Sequence, residues 1–212
     1  MSDAAAADTH ALSSEEALRD NYATPNDAVI AKDIRHIDAH CARFIELSPF
    51  CVIGTSRNDG SGDVSPRGGE PGFVHVLDKT HLAMPDRPGN NRLDSLSNVA
   101  HNPAVGLLFF LPGVNEMLRV NGTATITTEP ELMERFRAQG NPPRSVLVVE
   151  VKEAYLHCAK AVKRAGLWDA SAQIERKDFP SLGQIMRDQL ALDIEAELID
   201  QALDQDAKDN LY

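Results

Sequence analysis

Phe50-Cys51-Val52-Ile53-Gly54-Thr55-Ser56, then Asn58-Asp59-Gly60-Ser61-Gly62, then Asp63-Val64-Ser65-Pro66 is the stretch on which the fold turns. The first seven residues are apolar and β-favouring, the next five carry the Gly/Asn/Asp chemistry of a tight reversal, and the last four return. An antiparallel hairpin follows. Phe73 to Leu77 and His81 to Pro85 repeat the pattern around Asp78-Lys79-Thr80. Met117 to Thr127 alternates without interruption, with Leu118, Val120, Gly122, Ala124 and Ile126 on one face and Met117, Arg119, Asn121, Thr123, Thr125 and Thr127 on the other. Ala104 to Leu111 is a continuous apolar run that suits a strand buried on both sides, and Ser145 to Val151 is a last strong strand.

Helices punctuate these strands. Ile34, Ile37, Cys41, Phe44 and Ile45 share one helical face that ends at Ser48-Pro49. Ser13-Ser14-Glu15-Glu16 resembles a helix start and Thr24-Pro25 a stop, and Glu129-Pro130 opens a helix that reaches about Gln139. Leu182, Ile185, Met186 and Leu190 form one stripe near the C-terminus, and Ile194, Leu198, Ala202 and Leu203 another. Antiparallel strands with short turns and occasional helices predict a mainly β, α+β domain: a small closed barrel with helices at its rim. The expected organisation is a helical extension over 1–32, the barrel over 33–169, and an acidic helical segment over 170–212.

Between the second hairpin and the next strand lies Pro85-Asp86-Arg87-Pro88-Gly89-Asn90-Asn91-Arg92, a turn leading into a short helix. Asn91 reads as the N-cap, with Asp94 placed to reach back, and Leu93, Leu96, Val99 and Ala100 as the buried stripe. A helix start offers unpaired N–H groups and a positive dipole end, and Arg87 and Arg92 add permanent charge. The segment reads as a phosphate site; against it stands a capped surface helix with incidental arginines.

With 42% hydrophobic and 25% charged residues in 212, the chain suits a soluble globular protein, and its longest apolar run, Ala104 to Val114, is too short to cross a bilayer. Met1 to His10 is polar and alanine-rich without a basic n-region, so a cytoplasmic location is expected. The net charge of -11, concentrated in the C-terminal segment, argues against nucleic acid as a partner. Cys41, Cys51 and Cys158 lack Cys-x-x-Cys spacing and read as buried free thiols within regular elements. His36 and His40 lie one turn apart, but no third ligand accompanies them, so they read as a polar face and no metal is expected.

Four motifs carry a resemblance: Ser65-Pro66-Arg67-Gly68, Asp86 to Arg92, Leu118-Arg119-Val120-Asn121-Gly122, and Cys158-Ala159-Lys160-Ala161 with Leu167-Trp168. Over roughly His36 to Trp168 the chain resembles the pyridoxamine 5'-phosphate oxidase-like flavoproteins, the FMN-binding antiparallel split β-barrels. The resemblance implies a homodimer with two FMN molecules at the subunit interface. It implies that Ser65, Pro66, Arg67 and Gly68 lie against the flavin ring, that Arg67, Asn91 and Arg92 hold the phosphate, and that Pro85, Asp86 and Arg87 line the ribityl chain and ring. Arg119 and Asn121 would face the pyrimidine edge of the ring, where a cation stabilises reduced flavin, and Lys160, Arg164 and Trp168 would approach from the far end of the chain. True pyridoxamine phosphate oxidases carry an Arg-Leu-His-Asp-Arg signature that is absent here, and Met117 stands where they use a Gln. Vitamin B6 oxidation is therefore not expected. The implied activity is an FMN-dependent oxidoreduction of a small molecule or reduced nicotinamide. The alternatives are a non-catalytic FMN- or haem-binding, or haem-degrading, split barrel with His75 or His157 as haem ligand, a deazaflavin in place of FMN, and a non-enzymatic interaction protein using the acidic tail.

Overall fold

The structure, a computed structural model, describes residues 10–211; most of the polar, alanine-rich start lies outside the described residues. The chain divides into two units, Met1–Asp33 and Ile34–Tyr212. In the first, α1 (Glu15–Asn21) is capped by the Ser14 side chain, which accepts from the Ala17 N–H. A second helix, α2 (Asp27–Ala31), follows Pro25 unforeseen, because Asn26 supplies a new N-cap by accepting from Val29 N–H.

The second unit opens with α3 (Ala39–Leu47), capped by Asp38. Ile34 and Ile37 precede this helix instead of belonging to it, although both pack on the same core. Then come β1 (Phe50–Ser56), β2 (Gly62–Gly68), β3 (His75–Val76), β4 (His81–Asp86), α4 (Asp94–His101), β5 (Ala104–Phe110), β6 (Met117–Thr127), α5 (Pro130–Arg135), β7 (Ser145–His157), α6 (Lys160–Ala165), α7 (Leu182–Leu190) and α8 (Ala196–Asp209). All seven strands form one antiparallel sheet in the order β2-β1-β5-β6-β7-β4-β3. Cys51 and Ile53 of β1 share a single core with Leu82 and Met84 of β4, and with inward residues of β5, β6 and β7. Strands near opposite edges can share one interior only if the sheet curls around it, which is the split-barrel form of an α+β fold.

Several expectations need correction. β5 is fully buried on one side only, its burial alternating along the strand, because only Val105, Leu107 and Phe109 enter the core while Gly106, Leu108 and Phe110 on the other face stay half-buried. β7 continues past Val151 to His157, held by pairing with the full length of β6. α5 stops at Arg135, where Phe136 turns inward to a second, smaller apolar cluster with Ala83 and Val146. The C-terminal helices bury only Gly183 and Ala196, while Leu182, Leu190 and Leu198 stay exposed. Of the thiols, Cys41 and Cys51 are buried, and burial pushes their pKa values up to about 11 and about 12, but Cys158 is exposed between β7 and α6.

Candidate functional site

β2 is an edge strand, so its outward N–H groups need no partner and Pro66 is tolerated. Asp63, Ser65 and Arg67 sit half-buried on one face, with Val64 and Pro66 exposed on the other. The Arg67 guanidinium donates through Nη1 to Ser65 Oγ at 2.6 Å and to the Pro66 carbonyl at 3.0 Å, which aims it along the strand.

Opposite β2 stands α4, and its attachment differs from the expected apolar stripe. Of that stripe Val99 is buried and Leu96 packs partly on the core, but Leu93 is 55% exposed and Ala100 is exposed, and Ser95 and Asn98 complete the buried face. Ser95 Oγ donates to Asp63 Oδ2 at 2.8 Å, and Asn98 Nδ2 donates to Thr55 Oγ1 at 3.0 Å while its Oδ1 accepts from Arg57 Nε at 2.9 Å. Satisfied polar pairs fix the helix to β1 and β2, where a leucine stripe would hold it only by packing. Nor is Asn91 the N-cap. Leu93 occupies that position with φ 60°, no side chain caps the helix, and Asn91 is itself left-handed at φ 56°. Asp94 accepts from Arg92 Nε at 2.8 Å rather than reaching back. An uncapped helix start leaves its first N–H groups open to a ligand, and two non-glycine residues at positive φ mark a loop held in an uncommon conformation by its surroundings.

Between β2 and this loop lies a cleft of about 500 Å³, within the size range of small-molecule and cofactor sites. Ser65, Arg67, Asp86, Arg87, Asn91 and Arg92 all line it. A contiguous cavity of about 400 Å³ adds Pro66, Gly68 and Pro85 and shares Arg67, Asp86 and Arg87. Nine of the residues named from the sequence therefore meet in one place. Sequence reading missed Asp63, Ser95 and Arg144, which also line the cleft, and Leu211, which lines the adjoining cavity. Asp63 and Ser95 are separated by 32 positions and meet only through the helix docking. Arg144 immediately precedes a strand already identified, so it was the legible omission.

Burial raises the Asp86 carboxyl above its ordinary range, opposed by the nearby Arg67 charge. The Arg87 guanidinium is fixed through Nη2 to the Phe136 carbonyl at 3.0 Å.

Five named residues lie elsewhere in the chain. Arg119 stacks over the Tyr155 ring at 4.4 Å and lies 3.8 Å from Glu153, to which Asn121 Nδ2 donates at 2.7 Å. Arg119 Nε is buried without a partner among the described residues. Lys160 and Arg164 are exposed on α6, and Trp168 donates its indole N–H to the Val114 carbonyl at 2.8 Å. None of the five lines the cleft. Of the two histidines named as haem ligands, His75 packs on Phe136 and His157 on Tyr155, and neither lines the cleft. Among the described residues no three His, Cys, Asp or Glu side chains gather as metal ligands, and no helix is long and apolar enough to cross a membrane.

A curled antiparallel sheet with an arginine-rich cleft between an edge strand and an uncapped helix is the form of the FMN-binding split-barrel class of proteins. The chain belongs to the pyridoxamine 5'-phosphate oxidase family, whose model matches residues 37–158. No curated protein sequence matches it. Similar solved structures include the Group A Streptococcus protein HupZ, with 18% identity over 57% of this chain and 93% of that one at a TM-score of 0.47. A putative pyridoxamine 5'-phosphate oxidase from Lactobacillus delbrueckii is 18% identical over 58% of this chain and 98% of that one, also at 0.47. An FMN-binding protein from Syntrophomonas wolfei is 9% identical over 55% and 81%, at 0.43.

Proposed function

We propose that this protein is an FMN-dependent oxidoreductase whose substrate is not pyridoxamine phosphate. The carrying observation is the convergence of Arg67, Arg87 and Arg92 with Asn91 on one cleft at an uncapped helix start. That donor set fits a phosphate dianion: two guanidiniums can bind bidentately and the helix N–H groups add neutral donors. Arg92, whose guanidinium pairs with Asp94 and whose side chain is 71% exposed, would turn to the phosphate, with Arg67 beside it. The half-buried Asp86 and the adjoining cavity at Pro66, Gly68 and Pro85 would hold the ribityl chain and ring. When bound, FMN supplies a two-electron acceptor and donor, and the protein supplies orientation, charge and exclusion of water.

Arg119 has the chemistry for the pyrimidine edge, and its unpartnered Nε is an unmet donor. Its distance from the cleft along the sheet supports a homodimer in which the second subunit brings Arg119, Asn121, Lys160, Arg164 or Trp168 to the first subunit's flavin.

The purified protein should be yellow with a flavin spectrum that bleaches on anaerobic addition of NADH or NADPH and returns in air. Arg67→Ala with Arg92→Ala should remove bound FMN by loss of the charge-assisted bonds. A colourless protein that takes up no added FMN would defeat the reading, and so would wild-type FMN affinity in the double variant.

A further inference from the structure

A third cavity, of about 340 Å³, also has Arg87 in its wall. It shares Gly69, Phe73 and Arg87 with the second cavity, as the second shares Arg67, Asp86 and Arg87 with the first. Arg87 thus borders all three. The third is lined by Phe73, by His75 and Phe136, whose rings lie 4.2 Å apart, and by Arg87, Arg135 and Arg137. Glu70 is the one acidic residue among those lining it.

The three arginines are differently engaged. Arg87 donates to the Phe136 carbonyl, and Arg137 is paired with Glu134 through contacts of 2.8 to 3.1 Å. The Arg135 guanidinium makes no hydrogen bond or ion pair among the described residues, so its full fork of donors is available. His75 Nδ1 is buried without a partner among the described residues, an unmet polar group beside the same wall. Gly69, in the wall of both cavities, approaches Phe73 so closely that a Cβ would come within 2.8 Å of the Phe73 Cβ. In a chain of net charge -11, a pocket with three guanidiniums and one carboxylate on its walls is locally selective for anions.

We propose that this third cavity is the substrate pocket and that it takes a small planar organic anion, an aromatic carboxylate, with its ring against the half-buried Phe73 and His75 and its carboxylate on Arg135. The pairing follows from the chemistry of the lining: aromatic side chains favour a flat ring, and a guanidinium fork matches a carboxylate in two parallel bonds. The position at the far end of the cavity chain from Arg92 sets such a molecule beyond the ring end of a bound FMN, and to that extent the inference rests on the flavin reading.

The test is calorimetric titration of benzoate into the protein as purified with its cofactor, with benzylamine as the matched cation. Saturable benzoate binding without benzylamine binding is expected, weakened by about tenfold or more in Arg135→Ala through loss of a charge-assisted pair. FMN content should stay at the wild-type level in that variant. Arg135→Glu should abolish binding. Absence of saturable benzoate binding would overturn the proposal, as would equal affinity in wild type and Arg135→Ala. If Arg135-dependent benzoate binding appears in protein that neither contains nor accepts FMN, the pocket stands and the flavin reading falls.

Discussion

At Asp86 two demands on one carboxylate compete. It lies in the wall shared by the first two cavities, with Arg67, Arg87 and Arg144 lining the same cleft, and burial raises its pKa while Arg67 partly offsets that. A carboxyl with a raised folded pKa costs stability when ionised: the cost is complete above the folded pKa and vanishes below the unfolded value of 3.8. Asp86→Asn should therefore raise the melting temperature of the cofactor-free protein at neutral pH, with the gain shrinking as pH falls towards that value. Melting curves at several pH values check this, and a gain that grew on acidification would contradict the assignment. The residues of this cleft were legible in the sequence to the extent that their chemistry is intrinsic. Arg87 and Arg92 carry charge in any context, and Pro-Gly announces a turn. Asn91 was misread because an Asn before a helix can cap it or adopt the left-handed conformation, and only the docking of the loop decides between them.

Among elements, strands were easier to read than helices. β1 and β6 end where their alternation ends, since a period of two changes face at every residue and any slip would expose the core. α4 was harder, because polar bonds from Ser95 and Asn98 decide its buried face, and such bonds depend on partners far away in sequence. The register shift opposite Asn121 and Gly122, where β7 carries the extra residue Lys152, was likewise invisible, although it governs how β6 lies on β7. A Cβ on Gly122 would fall 2.0 Å from the Glu150 carbonyl oxygen, which is backbone and has little room to retreat. Gly122→Ala should accordingly destabilise the sheet by about 2 to 3 kcal/mol, the usual cost of overpacking a closed interior. Urea denaturation would reveal it as a lower midpoint, and a change below about 0.5 kcal/mol would mean that the strand absorbs the methyl by sliding.

At the scale of the whole molecule, the residues read as cofactor ligands fall into two groups that a single chain keeps apart. The cleft holds Arg67, Asn91 and Arg92, while Arg119 and Asn121 engage Glu153 on β6 and β7. No single-chain sequence pattern can state whether such groups meet, because under the proposed homodimer the contact would lie between two chains. A two-fold dimer in which each cleft is completed by the partner makes a specific prediction. Light scattering should give a mass of twice 23.1 kDa. Arg119→Ala homodimers and homodimers lacking the Arg67 and Arg92 side chains should each bind FMN poorly. Subunits of the two variants, unfolded together in equal amounts and refolded, should regain about one quarter of the wild-type sites, since half the dimers are mixed and each carries one intact cleft with one intact Arg119. Recovery at that level would assign the two groups to one composite site. A monomeric mass, or mixed dimers that recover no FMN, would place Arg119 in the packing of β6 on β7 alone.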